Sequence, residues 1–137
     1  MTTIETHYLG DLRTEAKHIQ SQTRIITDAP LDNQGKGEAF SPTDLLASSL
    51  TSCMLTIMGI SANAHHIILE GVRVDTTKIM QSNPRKIAEI HVQFYFPKGT
   101  AYTDQEKRLL QTAAETCPVY LSLHPDIKKV IVFNWSS

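Results

Sequence analysis

The chain has 137 residues, 41% of them apolar and 20% charged, with a formal net charge of -1. That size and balance suit one folded domain around a single hydrophobic core, and exclude disordered, fibrous and low-complexity classes. Thirteen Lys and Arg stand against fourteen Asp and Glu, so no basic field exists to hold nucleic acid or an anionic membrane. Two cysteines do not make a disulfide-stapled secreted scaffold. Residues 1–5 lack the basic-then-apolar pattern of a signal peptide. The expectation is a soluble, cytoplasmic protein with one domain over residues 1–137.

Residues 4–9 and 12–18 are short alternating runs, and Gly10-Asp11 between them is hairpin turn chemistry. Residues 24–27 read as a third strand. Residues 28–40 hold Pro30, Asp32, Asn33, Gly35 and Gly37 and read as a loop. Ser41-Pro42-Thr43-Asp44 then signals a helix start: Ser41 as N-cap, Pro42 in the first turn, and Asp44 reaching back to the cap. The stripe Leu46, Leu50, Cys53, Ile57, Ile60 and Ala64 has the spacing of one helical face. It predicts a helix buried on most sides, with Cys53 facing the core. The uncharged run 45–64 has about the length of a membrane span, but its Ser, Thr, Gly and Asn content and lack of flanking Lys or Arg argue for a protein core.

Residues 72–80 and 85–96 are two longer strands around a Ser82-Asn83-Pro84 turn. Ile90, Val92, Phe94 and Phe96 alternate with Glu89, His91, Gln93 and Tyr95, which predicts one buried face. Thr103-Asp104-Gln105-Glu106 is a second capping box, opening a helix with Leu110, Ala114 and Cys117 on one stripe. Pro118 interrupts it. Residues 130–133 form a continuous apolar strand, expected to be buried on both faces or at a dimer seam.

Both cysteines thus fall on inward-facing stripes with no CxxC spacing. Facing helices can bring two such thiols within disulfide reach, while each can equally be a buried small hydrophobe. Paired metal-ligand spacing is absent, and no cofactor motif is present. Gly35-Lys36-Gly37-Glu38 lacks the spacing of a phosphate loop.

The stretch 41–53, SPTDLLASSLTSC, resembles the central-helix signature of the OsmC/Ohr family, and 113–119, AAETCPV, resembles its second cysteine motif. The resemblance runs from the Tyr8-Leu9-Gly10-Asp11-Leu12-Arg13 hairpin to Trp135. It implies an α+β fold in which long central helices are enclosed by antiparallel β-sheets of an intertwined homodimer. It also implies thiol-dependent reduction of organic hydroperoxides in oxidative stress defence. In that reading Cys53 is the nucleophile, Cys117 the resolving thiol and Arg13 the activating cation, with Arg24 as fallback. An external dithiol closes the cycle. Family peroxidases carry a glutamate directly after the proline of the helix start; here Thr43 stands there, and Asp44 or Glu38 is the acid available to hold the arginine. The pattern is closer to the OsmC-related subgroup than to the dedicated reductases. The alternative is a non-catalytic redox-sensing or apolar-ligand-binding dimer of the same fold.

Overall fold

In the computed structural model, which describes residues 1–136, the chain forms two compact units, Met1–Leu46 and Ala47–Ser137. The first is an antiparallel sheet of β1 (Ile4–Gly10), β2 (Arg13–His18) and β3 (Arg24–Asp28) in sequential order. Gly10, Asp11 and Leu12 all have left-handed backbone, with φ of 87°, 53° and 62°, which makes the tight β1–β2 reversal expected there. The β2–β3 register sets Arg13 directly opposite Asp28. Among the described residues of this unit, only Thr27, Asp28 and Ser41 are buried. Ile4, Tyr8, Leu9, Leu12, Ile25 and Phe40 are exposed, so the sheet has no apolar core of its own.

The loop after β3 is shaped by close backbone approaches. A Cβ at Gly35 would collide with the Ala29 carbonyl, so only glycine fits, and Gly37 adopts a φ of 62° that favours glycine. The Gly37 amide bonds the Ala29 carbonyl at 3.2 Å, and the Asp28 amide bonds Phe40 at 3.1 Å. The loop is thereby folded back along the end of β3.

Helix α1 spans Pro42–Ala64. Its start is as expected: the Asp44 amide donates to Ser41 Oγ, and the Ser41 amide to Asp44 Oδ2, both at 3.0 Å. The expected stripe is displaced. The buried residues are Ala47, Leu50, Met54, Met58 and Ala62, whereas Leu46 and Ile60 are 37% and 62% exposed. The expectation of burial on most sides is therefore corrected to burial of one stripe. Apolar residues flank that stripe on both sides, so periodicity alone could not choose among the faces; small Ala and adaptable Met fill the actual contact. By length and mean hydropathy of 1.6, α1 could cross a bilayer, but its buried stripe belongs to the core described next.

In the second unit β4 (Arg73–Gln81) and β5 (Lys86–Tyr95) are antiparallel, and β6 (Lys128–Asn134) pairs with β5 in parallel. Among the described strands, the antiparallel expectation holds for β1–β2, β2–β3 and β4–β5 but not for β5–β6. A parallel pair needs a crossover, and α2 (Asp104–Glu115) with α3 (Pro118–Ser122) supplies it. The β5 alternation is as predicted: Ile90, Val92 and Phe94 are fully buried and Phe96 nearly so. Leu110, Ala113 and Ala114 of α2 complete the core with the α1 stripe. Each large side chain buried in this way contributes about 1.5–3 kcal/mol. Strand β6 lies at the sheet edge, and Val132 is 39% exposed, so it is not buried on both faces within the chain. Phe133 stacks on Phe94 at 4.8 Å, and Trp135 on Phe96 at 4.0 Å. The Thr103–Glu106 capping box of α2 is present with both bonds.

Candidate active site

The thiol pair is built in the second unit. Cys53 sits on the flank of the α1 stripe, half-buried against the core. Cys117 is fully buried at the junction between α2 and α3. Pro118 breaks the first helix and opens the second, so the chain turns at Cys117. Its sulfur becomes the N-cap of α3 and accepts the Tyr120 amide at 3.3 Å. The Cys53 sulfur accepts the Val119 amide at 3.5 Å, across 66 positions of sequence. The two thiols adjoin closely enough for Cys53 to act on the Cys117 thiol, and both are free in this structure. Burial pushes the Cys117 thiol above its ordinary value; the Tyr120 amide opposes this, and the adjoining Cys53 reinforces it. Cys53 thus adjoins Cys117 from the flank of the α1 stripe.

The ionic cluster is built in the first unit. Arg13 Nε and Nη2 donate to the two Asp28 carboxylate oxygens at 2.6 and 2.8 Å, and Nη2 also donates to Glu38 at 2.7 Å. Asp28 is 1% exposed. Its remaining acceptor capacity takes the Glu38 amide at 3.0 Å, so the same carboxylate holds the arginine and the loop bearing the second acid. The Arg13 guanidinium, aided by the Glu38 amide, holds the Asp28 carboxyl below its ordinary value although burial opposes this. In turn Asp28, and then Glu38, push Arg13 above its ordinary value. Two-pronged carboxylate binding of this kind fixes a guanidinium in orientation as well as in charge.

Of the candidate residues, the structure brings together Arg13 with Glu38, and Cys53 with Cys117. Asp44 forms the α1 capping box, and Thr43 bonds the cap hydroxyl of Ser41 at 3.2 Å. Arg24 pairs with Glu15 on the exposed part of the sheet. Asp28 was missed, because composition placed it at the start of a loop. The signal that finds it is the β2–β3 register, which needs the tight connection after His18 to be aligned first. Tyr120 and Leu123 pack partly on the core, whereas Leu121 is 70% exposed. Among the described residues, no three His, Cys, Asp or Glu side chains gather as metal ligands would.

The OsmC family, described as OsmC-like protein, matches residues 35–131. No curated protein matches the chain. A solved structure from Psychrobacter arcticus 273-4, provisionally described as an osmotic stress induced and detoxification response protein, is 50% identical. It has a TM-score of 0.93 over 98% of this chain and 96% of its own. A Legionella pneumophila organic hydroperoxide resistance protein OsmC shares 17% identity at a TM-score of 0.76, covering 98% of each chain. An organic hydroperoxide resistance protein from Elizabethkingia anophelis shares 15% at a TM-score of 0.70, covering 98% of this chain and 96% of its own. The last two show the fold alone. With the family matched over residues 35–131 and half of all residues shared with the Psychrobacter protein, this chain belongs to the OsmC-like protein family.

Proposed function

We propose that this chain is a thiol-dependent peroxidase acting on organic hydroperoxides in oxidative stress defence. The observation that carries the reading is the meeting of the chain's two cysteines. A half-buried thiol, open to a reagent from solution, adjoins a fully buried one that can resolve it. The Cys53 thiolate attacks one peroxide oxygen; an S–O bond forms, the O–O bond breaks, and the alkoxide leaves and takes up a proton as alcohol. Cys117 then attacks the sulfenic sulfur. An S–S bond forms, and hydroxide departs with the Cys117 proton as water. An external dithiol reduces the disulfide by two exchanges and is itself oxidised.

Arg13 is the cation that the resemblance assigns to this scheme, and Asp28 and Glu38 hold it rather than an acid at position 43. Further support comes from the OsmC-like relatives named organic hydroperoxide resistance proteins. The working unit is a homodimer, a reading supported by the exposed apolar side chains of the first sheet, among them Ile4, Tyr8, Ile25 and Phe40. A soluble monomer rarely leaves such a surface open. Light scattering should give twice the chain mass of 15.3 kDa. The test of activity is consumption of cumene hydroperoxide with a dithiol present, comparing wild type with Cys53→Ser. Loss of turnover in the variant is expected; equal turnover in both proteins ends the peroxidase reading, and an inert wild type that retains an apolar ligand favours the binding dimer.

A further inference from the structure

The disulfide cycle needs two thiols and leaves one contact unexplained: the backbone donor on Cys53. Cys117 has extended backbone at φ -69° and ψ 149°, and Pro118 has no N–H and a fixed φ. The first amides available after this turn are those of Val119 and Tyr120; Tyr120 serves Cys117, whereas Val119, which also acts on Cys117, reaches across to Cys53. Val119 donates to Cys53 at 3.5 Å and Tyr120 to Cys117 at 3.3 Å. Tyr120 does an ordinary capping job. Val119 does more, because the sulfur it reaches at 3.5 Å lies on another helix. The geometry points to the Val119 amide, aimed by Pro118, as a catalytic group that holds the attacking sulfur and stabilises its negative charge, an inference that rests on the peroxidase reading.

An N–H donor binds an anion more strongly than a neutral acceptor, so this contact strengthens when Cys53 ionises. The same stabilisation costs some nucleophilicity, since thiolate reactivity falls with basicity by a Brønsted slope of about 0.4–0.5. Removing the donor therefore has two opposed effects. The thiolate fraction at neutral pH falls by about tenfold, as expected for loss of a hydrogen bond to a charged group. Each remaining thiolate becomes roughly threefold more reactive. The net result is a pH profile that crosses that of the parent.

The experiment uses the full chain carrying Cys117→Ser, so that only Cys53 can react, with Val119 replaced by its α-hydroxy acid to turn the amide into an ester. Val119→Ala, which keeps the N–H, is the control. Iodoacetamide alkylation of the ester protein should be roughly threefold slower at neutral pH and roughly threefold faster on the alkaline plateau. Pro118→Ala, which loosens the aim of the amide, should move the profile in the same sense by less, and serves if the ester protein does not fold. Profiles that superimpose on the control, or that lie below it at every pH, overturn the proposal. The crossing is independent of turnover: a crossing profile with no hydroperoxide reduction in wild type retains the amide's role and rejects the peroxidase reading.

Discussion

Replacing Cys117 by serine and, separately, by alanine divides its two roles. Its sulfur is fully buried and caps α3 through the Tyr120 amide at 3.3 Å. A hydroxyl in the same place remains an acceptor and a good N-cap; a methyl is neither. Loss of a cap costs about 1 kcal/mol, and the small cavity left by deleting the sulfur adds about 1 kcal/mol. Cys117→Ala should therefore lose about 2 kcal/mol, or roughly 8 °C in Tm for a chain of this size. Cys117→Ser should retain about half of that difference. Thermal and urea unfolding under reducing conditions measures this, with an unchanged denaturant slope as the check on two-state behaviour. Both variants lose the thiol proposed to resolve Cys53, so under that proposal stoichiometric hydroperoxide should leave a Cys53 sulfenic acid that dimedone traps. An alanine variant as stable as the serine variant would refute the capping role. A disulfide-linked cycle persisting in either would refute the resolving role.

Asp28→Asn tests the arginine clamp through pH. A carboxyl whose folded-state pKa lies below its unfolded value contributes stability that is fully present above the unfolded value of about 4 and is lost as pH falls through the folded value. Arg13 lowers Asp28 in this way, so wild type should exceed the variant in stability at neutral pH, with the gap closing under acid; a gap independent of pH would count against the clamp. Thr103→Ala removes the hydroxyl that accepts the Glu106 amide, one of the two bonds of the α2 capping box, and should cost about 1 kcal/mol, read as a shift in urea midpoint without a change in slope. Phe94→Ala removes a fully buried ring stacked on Phe133 and should cost about 3–5 kcal/mol. A smaller effect would mean that β6 closes into the gap.

Much of the local structure was legible because local rules set it. Ser41 with Asp44, and Thr103 with Glu106, are capping pairs whose spacing is dictated by the first helical turn. The turn at Gly10-Asp11 and the alternation of Ile90, Val92, Phe94 and Phe96 were readable for the same reason. Cys117 at a helix break follows from the proline beside it. The stripe of α1 was misplaced because apolar residues surround most of that helix, and only the packing of its partners selects Ala47, Leu50, Met54, Met58 and Ala62. The parallel entry of β6 was equally hidden. Residues 130–133 carry no record of strand direction, which is decided by where the α2–α3 crossover returns the chain.

The amino-acid sequence by itself offered two thiols as candidates for chemistry, and the resemblance it carries added an arginine in the first hairpin and acids near the helix start. It also assigned Asp44 an adequate local job, which the structure bears out through its bonds to Ser41. Tertiary structure decided the partners. Asp28 meets Arg13 because two strands align in one register, and Cys53 meets the Val119 amide because a helix break turns the chain back across 66 positions. Such pairings depend on the summed geometry of many residues, whereas caps and turns depend on a few neighbours, and a linear pattern records only the latter.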